Sequence, residues 1–145
     1  MAKVKDSIKV GLTPAQAWEH ALDLSRFGEW LVIHDGWRSE LPGPGEIGKG
    51  TEVSSVVAAK GTRVRFNWVV DEYDPPRRVS LKGDGKGGVK VTLILEVAPD
   101  GDGADLTFEL ELGGLPMIGL AGRAAAKVVK GDIHTSLQKF HDLYA

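Results

Sequence analysis

The stretch from Pro116 to Tyr144 reads as one long helix, apolar on one face and unusually small-sided over its first half. It follows a series of alternating strands. A long helix laid over a curved antiparallel sheet encloses space wherever its side chains are too short to fill the gap. The small residues are Gly119, Ala121, Gly122, Ala124, Ala125 and Ala126, whereas Val129, Ile133, Leu137, Phe140 and Tyr144 follow at helical spacing. Glycine in a helix interior costs roughly 1 kcal/mol against alanine, so Gly119, Gly122 and Gly131 need a reason beyond propensity. Close backbone approach, a kink near Gly131 and a ligand chamber are the candidates. Flat packing of small residues on the sheet is the alternative, and the pattern leaves both open.

The strands ahead of that helix read off the period-2 alternation. Val4, Ile8, Val10 and Leu12 alternate with polar residues, with Asp6 interrupting the apolar face. Thr13-Pro14-Ala15-Gln16 then supplies an N-cap, a proline at the first helical position and a glutamine placed to close a capping box. The helix it opens carries Ala17, Trp18 and Ala21 inward, and Asp23 to Trp30 reads as a second short helix. Trp37 to Leu41 is a candidate strand, followed from Pro42 to Gly50 by a loop rich in glycine and proline.

Thr51 to Lys60 and Thr62 to Tyr73 meet across a Lys60-Gly61 turn, with Val64, Phe66, Trp68 and Val70 on one face and Arg63, Arg65 and Asn67 on the other. Asp74-Pro75-Pro76 stops that strand, since proline donates no ladder hydrogen bond, and Arg78 to Lys82 resumes as the next. Gly83 to Gly88 reads as a turn. Two further alternating runs, Val89 to Val97 and Leu106 to Leu112, are joined by a polar loop from Pro99 to Gly103. Consecutive strands with one polar face each predict an α+β fold, an antiparallel meander covered on one side, in a single domain over residues 1–145.

Composition narrows the function. A 145-residue domain buries roughly 68–70% of its unfolded surface, so a stable core needs no metal or disulfide. With no cysteine, disulfides and thiolate metal sites are excluded. Eighteen basic and 20 acidic residues give a net charge of −2, which favours no phosphate backbone, so nucleic acid is not an expected partner. Charge at Lys3, Lys5 and Asp6 stands where a secretory signal needs an apolar run, so a cytoplasmic protein is expected. The run from Leu115 to Ala126 is too short for a membrane span and Arg123 interrupts it.

The element order, with Thr13-Pro14-Ala15-Gln16-Ala17-Trp18, Gly48-Lys49-Gly50-Thr51, Tyr73-Asp74-Pro75-Pro76-Arg77-Arg78 and the final helix, resembles the START-like superfamily across essentially the whole chain. That superfamily includes plant pollen allergens, polyketide cyclases/dehydratases and lipid-transfer proteins. The resemblance implies a helix-grip fold: about seven curved strands wrapped on the C-terminal helix, two short helices after the first strand, and an internal cavity for an apolar or amphipathic small molecule, without a cofactor. A narrower resemblance rests on Glu29-Trp30-Leu31-Val32-Ile33-His34, Trp37-Arg38-Ser39, Leu81-Lys82-Gly83-Asp84-Gly85 and Gly87-Gly88-Val89-Lys90-Val91. These look like an actinobacterial subgroup with a member described as the toxin of a type II toxin-antitoxin pair, which implies an antitoxin partner. Both are resemblances of turn and cap chemistry, which specify a fold better than an activity.

Candidate ligand-binding positions follow. Trp30, His34 and Trp37 lie between the second helix and the next strand, where the resemblance puts one edge of the cavity mouth. His34 beside Asp35 is the one acid/base candidate for a cyclase-like or dehydratase-like reaction, since imidazole titrates near neutrality. Phe66, Trp68 and Phe108 either fill the core or line the chamber. Met117, Leu120, Ala121 and Ala125 are the helix positions expected over it, ordinary helix-on-sheet packing being the alternative. His134 and His141 are seven apart, too far for adjacent metal ligands, and no metal site is expected. No nucleophile elbow, phosphate loop or dinucleotide fingerprint is present. Lys60, Arg63, Arg65, Arg77 and Arg78 could gather into a basic patch of the kind an RNA-directed toxin needs, or form a solvated strand face offset by Asp71, Glu72 and Asp74.

Overall fold

The computed structural model describes residues 2–43, 45–59, 62–114 and 119–144. Seven strands form one antiparallel sheet: β1 (Ala2–Val10), β2 (His34–Trp37), β3 (Glu52–Ala59), β4 (Thr62–Asp74), β5 (Arg78–Gly85), β6 (Lys90–Asp100) and β7 (Gly103–Gly113). The order across the sheet is β1-β7-β6-β5-β4-β3-β2. From β2 to β6 each strand pairs with its successor, and β1 pairs with β7, from Ala2 opposite Leu112 to Val10 opposite Ala104. The helices are α1 (Pro14–Ala21), α2 (Phe27–Trp30) and α3 (Leu120–Tyr144). This is the α+β helix-grip arrangement the sequence predicts.

Local chemistry explains the element boundaries. Thr13 caps α1 reciprocally: its Oγ1 accepts from the Gln16 N–H at 3.2 Å, while Gln16 Oε1 accepts from the Thr13 N–H at 3.1 Å. Ala17, Trp18 and Ala21 are buried as expected. The segment read as one second helix is a 3-10 turn at Leu24–Arg26 followed by the single turn of α2. The strand expected at Trp37–Leu41 lies earlier, at His34–Trp37. Beyond Trp37 one more backbone bond, from the Arg38 N–H to the Ser54 carbonyl at 2.7 Å, is followed by a side chain, with Ser39 Oγ accepting from the Ser54 N–H at 2.9 Å. β1 ends at Val10 and does not reach Leu12.

Two glycine-containing segments differ from their sequence reading. β5 continues through Gly83 and Gly85, leaving only Lys86–Gly88 to turn, with Gly87 and Gly88 at φ of 83° and 88°. The reason lies opposite. Gly83 pairs with Trp68 and Gly85 with Phe66, and the aromatic rings lie on the glycine backbone. A methyl group on Gly83 would sit 2.6 Å from Trp68 Cε3 and Cζ3, and one on Gly85 would sit 2.6 Å from Phe66 Cε1. The polar loop between β6 and β7 shrinks to Gly101-Asp102, with Gly101 at φ 58°. The Lys60-Gly61 turn lies outside the described residues, but its flanks pair, Ala59 opposite Thr62.

α3 begins at Leu120 rather than Pro116, and Gly119 precedes it at φ 71°. Residues 115–118 lie outside the described residues. Gly131 is exposed with open space around its Cα, so close approach does not explain it, and α3 runs without interruption from Leu120 to Tyr144. The helix buries Val129, Ile133, Ser136, Leu137 and Phe140, continuing the apolar spacing read from the sequence. It rests mainly on β1. That explains Asp6, the polar break in β1: its Oδ2 lies 2.9 Å from His134 Nδ1 on α3.

Two side chains, Ser136 and Trp37, tie down the segment around the short helices. Ser136 Oγ accepts from the Val32 N–H at 2.9 Å and donates to the Asp132 carbonyl at 2.7 Å. Trp37 Nε1 donates to the Leu24 carbonyl at 2.7 Å. Trp30, fully buried, packs edge-on against Phe108 and Phe140, with centroids 6.3 and 5.2 Å away, and joins sheet to helix.

Candidate functional site

The inner face of the sheet and the α1–α2 segment enclose a cavity of about 80 Å³. That is several times the roughly 10–15 Å³ that one water requires. The walls follow from strand periodicity, because alternate residues of each strand point inward. Val53, Ser55 and Val57 come from β3 and Phe66, Trp68 and Val70 from β4. Val79 and Leu81 come from β5, Val91, Leu93 and Leu95 from β6, and Leu110 and Leu112 from β7. The opposite wall is Leu22, Leu24, Phe27, Leu31 and Ile33, with Val129 as the contribution of α3. Among the described residues no Asp, Glu, Lys or Arg lines the cavity, and Thr51, Ser55 and His34 are its polar side chains apart from the two indole N–H groups.

Both indole donors are committed. Trp37 donates to Leu24, and Trp68 Nε1 donates to Ser55 Oγ at 2.9 Å, both residues of the latter pair being buried. Phe66 and Trp68, two apart on β4, lie side by side with ring centroids 5.3 Å apart and planes 30° from parallel. Thr51 Oγ1 accepts from the Gly48 N–H at 3.0 Å.

His34 stands half-buried in an aromatic cluster, 4.7 Å from the Trp37 ring and 5.9 Å from that of Phe27. Burial pushes its imidazole below the usual value near 6.5 and outweighs the opposing pull of Asp35, so the ring facing the cavity is neutral at neutral pH. The adjacent Asp35 does not join it. Asp35 stands where the β2–β3 register shifts between His34 and Gly36, and its carboxylate pairs with Arg63 on β4.

Beside the cavity lies a polar cleft of about 590 Å³, lined by Glu19, His20, Asp23, Arg26 and Tyr73 together with residues of the loop between β2 and β3. Leu22, Leu24 and Ile47 line both spaces and form the wall between them. At the cleft, Arg26 binds Glu29 through two bonds of 2.6 and 2.9 Å, which hold its guanidinium more firmly protonated and the Glu29 carboxyl below its usual range. Arg26 also lies 5.1 Å over the Tyr144 ring, which stacks on His20 at 4.2 Å. Burial raises the Tyr144 phenol, with Arg26 opposing.

The residues singled out from the sequence divide by position. His34, Trp37, Phe66 and Trp68 meet at the cavity. Trp30 and Phe108 are packed in the adjoining core and are not among its lining residues. Ala125 is partly buried against that core, whereas Ala121 is exposed and Leu120 is 79% exposed, both away from the cavity. Met117 lies outside the described residues. Among the described residues, Leu120, Ala121 and Ala125 do not line this cavity, and the α1–α2 segment does. Sequence reasoning missed Leu22, Leu24, Phe27, Leu31, Ile47 and Ser55. Phe27 and Leu31 stand at helical spacing, and Ser55 shares an inward register with Val53 and Val57, which are the signals that could have found them.

Three of the arginines considered for a basic patch are paired, whereas Arg65 is exposed and Lys60 lies outside the described residues. Arg63 pairs with Asp35, Arg77 with Asp74 at 2.6 Å, and Arg78 with both Glu72 and Glu96 at 3.0 Å. Among the described residues, no group of three or more histidines and carboxylates is placed to hold a metal ion, and no helix is long and apolar enough to cross a membrane.

Comparison with known proteins places this geometry in context. A family model described as polyketide cyclase / dehydrase and lipid transport matches residues 1–144. Toxin Rv0910 of Mycobacterium tuberculosis is 47% identical over 145 residues, covering 100% of this chain and 99% of its own. Uncharacterized protein Rv1546 of the same organism is 46% identical over 144 residues, covering 99% of both. Among solved structures, TTHA0849 from Thermus thermophilus superposes with a TM-score of 0.78 at 18% identity, over 97% of this chain and 95% of the other, a likeness of fold alone. With a START-like sheet gripping its last helix and a family match over nearly its whole length, the chain belongs to the polyketide cyclase/dehydrase and lipid-transport family.

Proposed function

We propose that this protein binds an apolar or aromatic small molecule between the sheet and the α1–α2 segment, as a carrier or sensor. The observation that carries this reading is an interior cavity with no charged side chain among the described residues of its walls, where both lining indole N–H groups are already bonded. Apolar walls with a few placed polar groups are the usual make-up of ligand sites. Its volume of about 80 Å³ is below the roughly 150 Å³ of an engineered cavity that takes benzene, so a larger ligand must displace Leu22, Leu24 or Ile47 toward the cleft. Native mass spectrometry of protein purified from its own host tests the reading. A discrete released small molecule supports it, and protein that stays empty and takes up no apolar probe in titration removes it.

A second reading, the toxin of a type II toxin-antitoxin pair, is favoured by the 47% full-length identity to a protein named as a toxin. It predicts an antitoxin partner encoded alongside and growth arrest when this chain is induced alone. Normal growth under strong induction removes it. The two readings are compatible, since a ligand could govern a toxin. A third reading, a cyclase-like or dehydratase-like enzyme, rests on His34, a neutral imidazole at the cavity. It fails if His34→Ala leaves turnover unchanged.

A further inference from the structure

We propose that the cavity selects a neutral ligand bearing a hydrogen-bond acceptor, and that the Ser55 hydroxyl is the group that orients it. The inference rests on the ligand-binding reading above and names the chemistry of its ligand. Ser55 is 3% exposed and lines the cavity from β3, between Val53 and Val57 on the same face. A hydroxyl has one proton to donate and two lone pairs to accept with. One lone pair is taken by Trp68 Nε1 at 2.9 Å, and among the described residues the Ser55 proton has no acceptor. A buried donor without a partner is costly, and the site gains most from a ligand that supplies one.

The surrounding residues fix the direction of that donor. Trp68 lies flat on the Gly83 backbone, so its N–H approaches Ser55 from a defined side, and the hydroxyl hydrogen must turn away from the indole. Apolar neighbours Val53, Val57 and Phe66 supply no competing acceptor side chain. A carboxylate or an ammonium would lose its hydration and meet no counter-charge, because no charged residue lines the walls among the described residues. The ligand class is therefore a ring or short chain carrying a neutral carbonyl, ether or hydroxyl oxygen, with that oxygen against Ser55 and the apolar part on the Phe66–Trp68 pair.

Cyclohexanone and methylenecyclohexane test this as a pair, having nearly the same shape but oxygen in one and CH₂ in the other. Each is titrated into the full chain and followed by the Trp68 indole N–H resonance in NMR. The expected result is about tenfold tighter binding of cyclohexanone, the upper range for one hydrogen bond. Ser55→Ala should abolish that preference while leaving methylenecyclohexane affinity within about twofold, and Ser55→Thr should restore it. In ¹³C-labelled cyclohexanone, the bound carbonyl resonance should lie downfield in wild type of its position when bound to Ser55→Ala. Equal binding of both probes to wild type, or a preference that survives Ser55→Ala, overturns the role of Ser55 and leaves the ligand-binding reading standing. Failure of wild type to bind either probe overturns both. Should Ser55→Ala fail to fold, Ser55→Cys, which keeps an acceptor for the indole and offers only a weak donor, serves instead: loss of most of the oxygen preference supports the proposal, and a preference as large as in wild type overturns it.

Discussion

Replacing Gly83 with alanine tests whether the glycines of β5 hold the cavity open. The new methyl would lie 2.6 Å from two carbons of the Trp68 ring and 3.0 Å from a third. Ordinary carbon contacts are about 3.5–4.0 Å, so the ring must retreat by ~1 Å. Behind it is the β5 backbone, so it retreats into the cavity and pulls away from Ser55, to which it is bonded at 2.9 Å. Overpacking a buried site costs about 1–3 kcal/mol and the lost bond adds about 1 kcal/mol. The sum, about 2–4 kcal/mol, is a large share of the roughly 5–15 kcal/mol that stabilises a typical domain. At 2–4 °C per kcal/mol for chains near this size, Tm should fall by roughly 5–15 °C. Calorimetry measures the fall, the Trp68 indole resonance reports the displaced ring, and cyclohexanone titration reports the lost space. Gly11→Ala, at a position with open space and no strained backbone, is the control and should change stability by less than about 0.5 kcal/mol. A Gly83→Ala protein as stable as that control, with the indole resonance unmoved, would refute the reasoning.

Three other perturbations have definite expected outcomes. Ser136→Ala leaves the Val32 N–H without its partner and should destabilise by about 1–2 kcal/mol in chemical denaturation, whereas an unchanged midpoint would mean that water replaces the hydroxyl. Gly131→Ala, on an exposed turn of α3 with open space around it, should stabilise by about 1 kcal/mol, and a loss of stability would point to a contact at that position. His34 is held below its ordinary pKa by burial, so the folded state binds fewer protons there than the unfolded chain. Its contribution is fully present above about pH 6.5 and is lost as pH falls from there through the folded-state pKa. Tm measured from pH 8 to pH 5 should therefore decline less steeply in His34→Gln than in wild type, and parallel curves would exclude the effect.

Much of the architecture was legible because it depends on local pattern. The Thr13–Gln16 capping box, the inward Phe66–Trp68 register and the apolar stripe of α3 each follow from spacing alone. What escaped the reading depends on partners distant in the chain. Gly83 and Gly85 look like turn residues until Trp68 and Phe66 are laid across them, and Asp6 looks like a defect until His134 arrives from α3. The cavity was expected under the small-sided half of α3 because a helix over a sheet suggests such a roof. The Val129 side chain lines it, but Leu120 and Ala121 are exposed, and the short α1–α2 segment closes it instead. Nothing in the spacing of Leu22, Leu24 and Phe27 tells which part of the sheet they cover. Ser55 was hidden for a related reason: its meaning depends on the indole it meets across the β3–β4 ladder.

The pairing of β1 with β7 and α3 also governs how the molecule comes into being. β1 leaves the ribosome about a hundred residues before its sheet neighbour, from Ala2 opposite Leu112 to Val10 opposite Ala104. Its covering helix comes later still. Until the C-terminal residues are made, β1 has neither ladder nor lid, and Val32 waits for Ser136, 104 positions downstream. Such long-range closure makes folding slow relative to helical proteins of equal size and leaves apolar strand surface exposed in nascent chains. Chains released before α3 is complete should consequently be the species that aggregates or is captured by chaperones, so the last turns of helix act as the step that commits the whole chain to its fold.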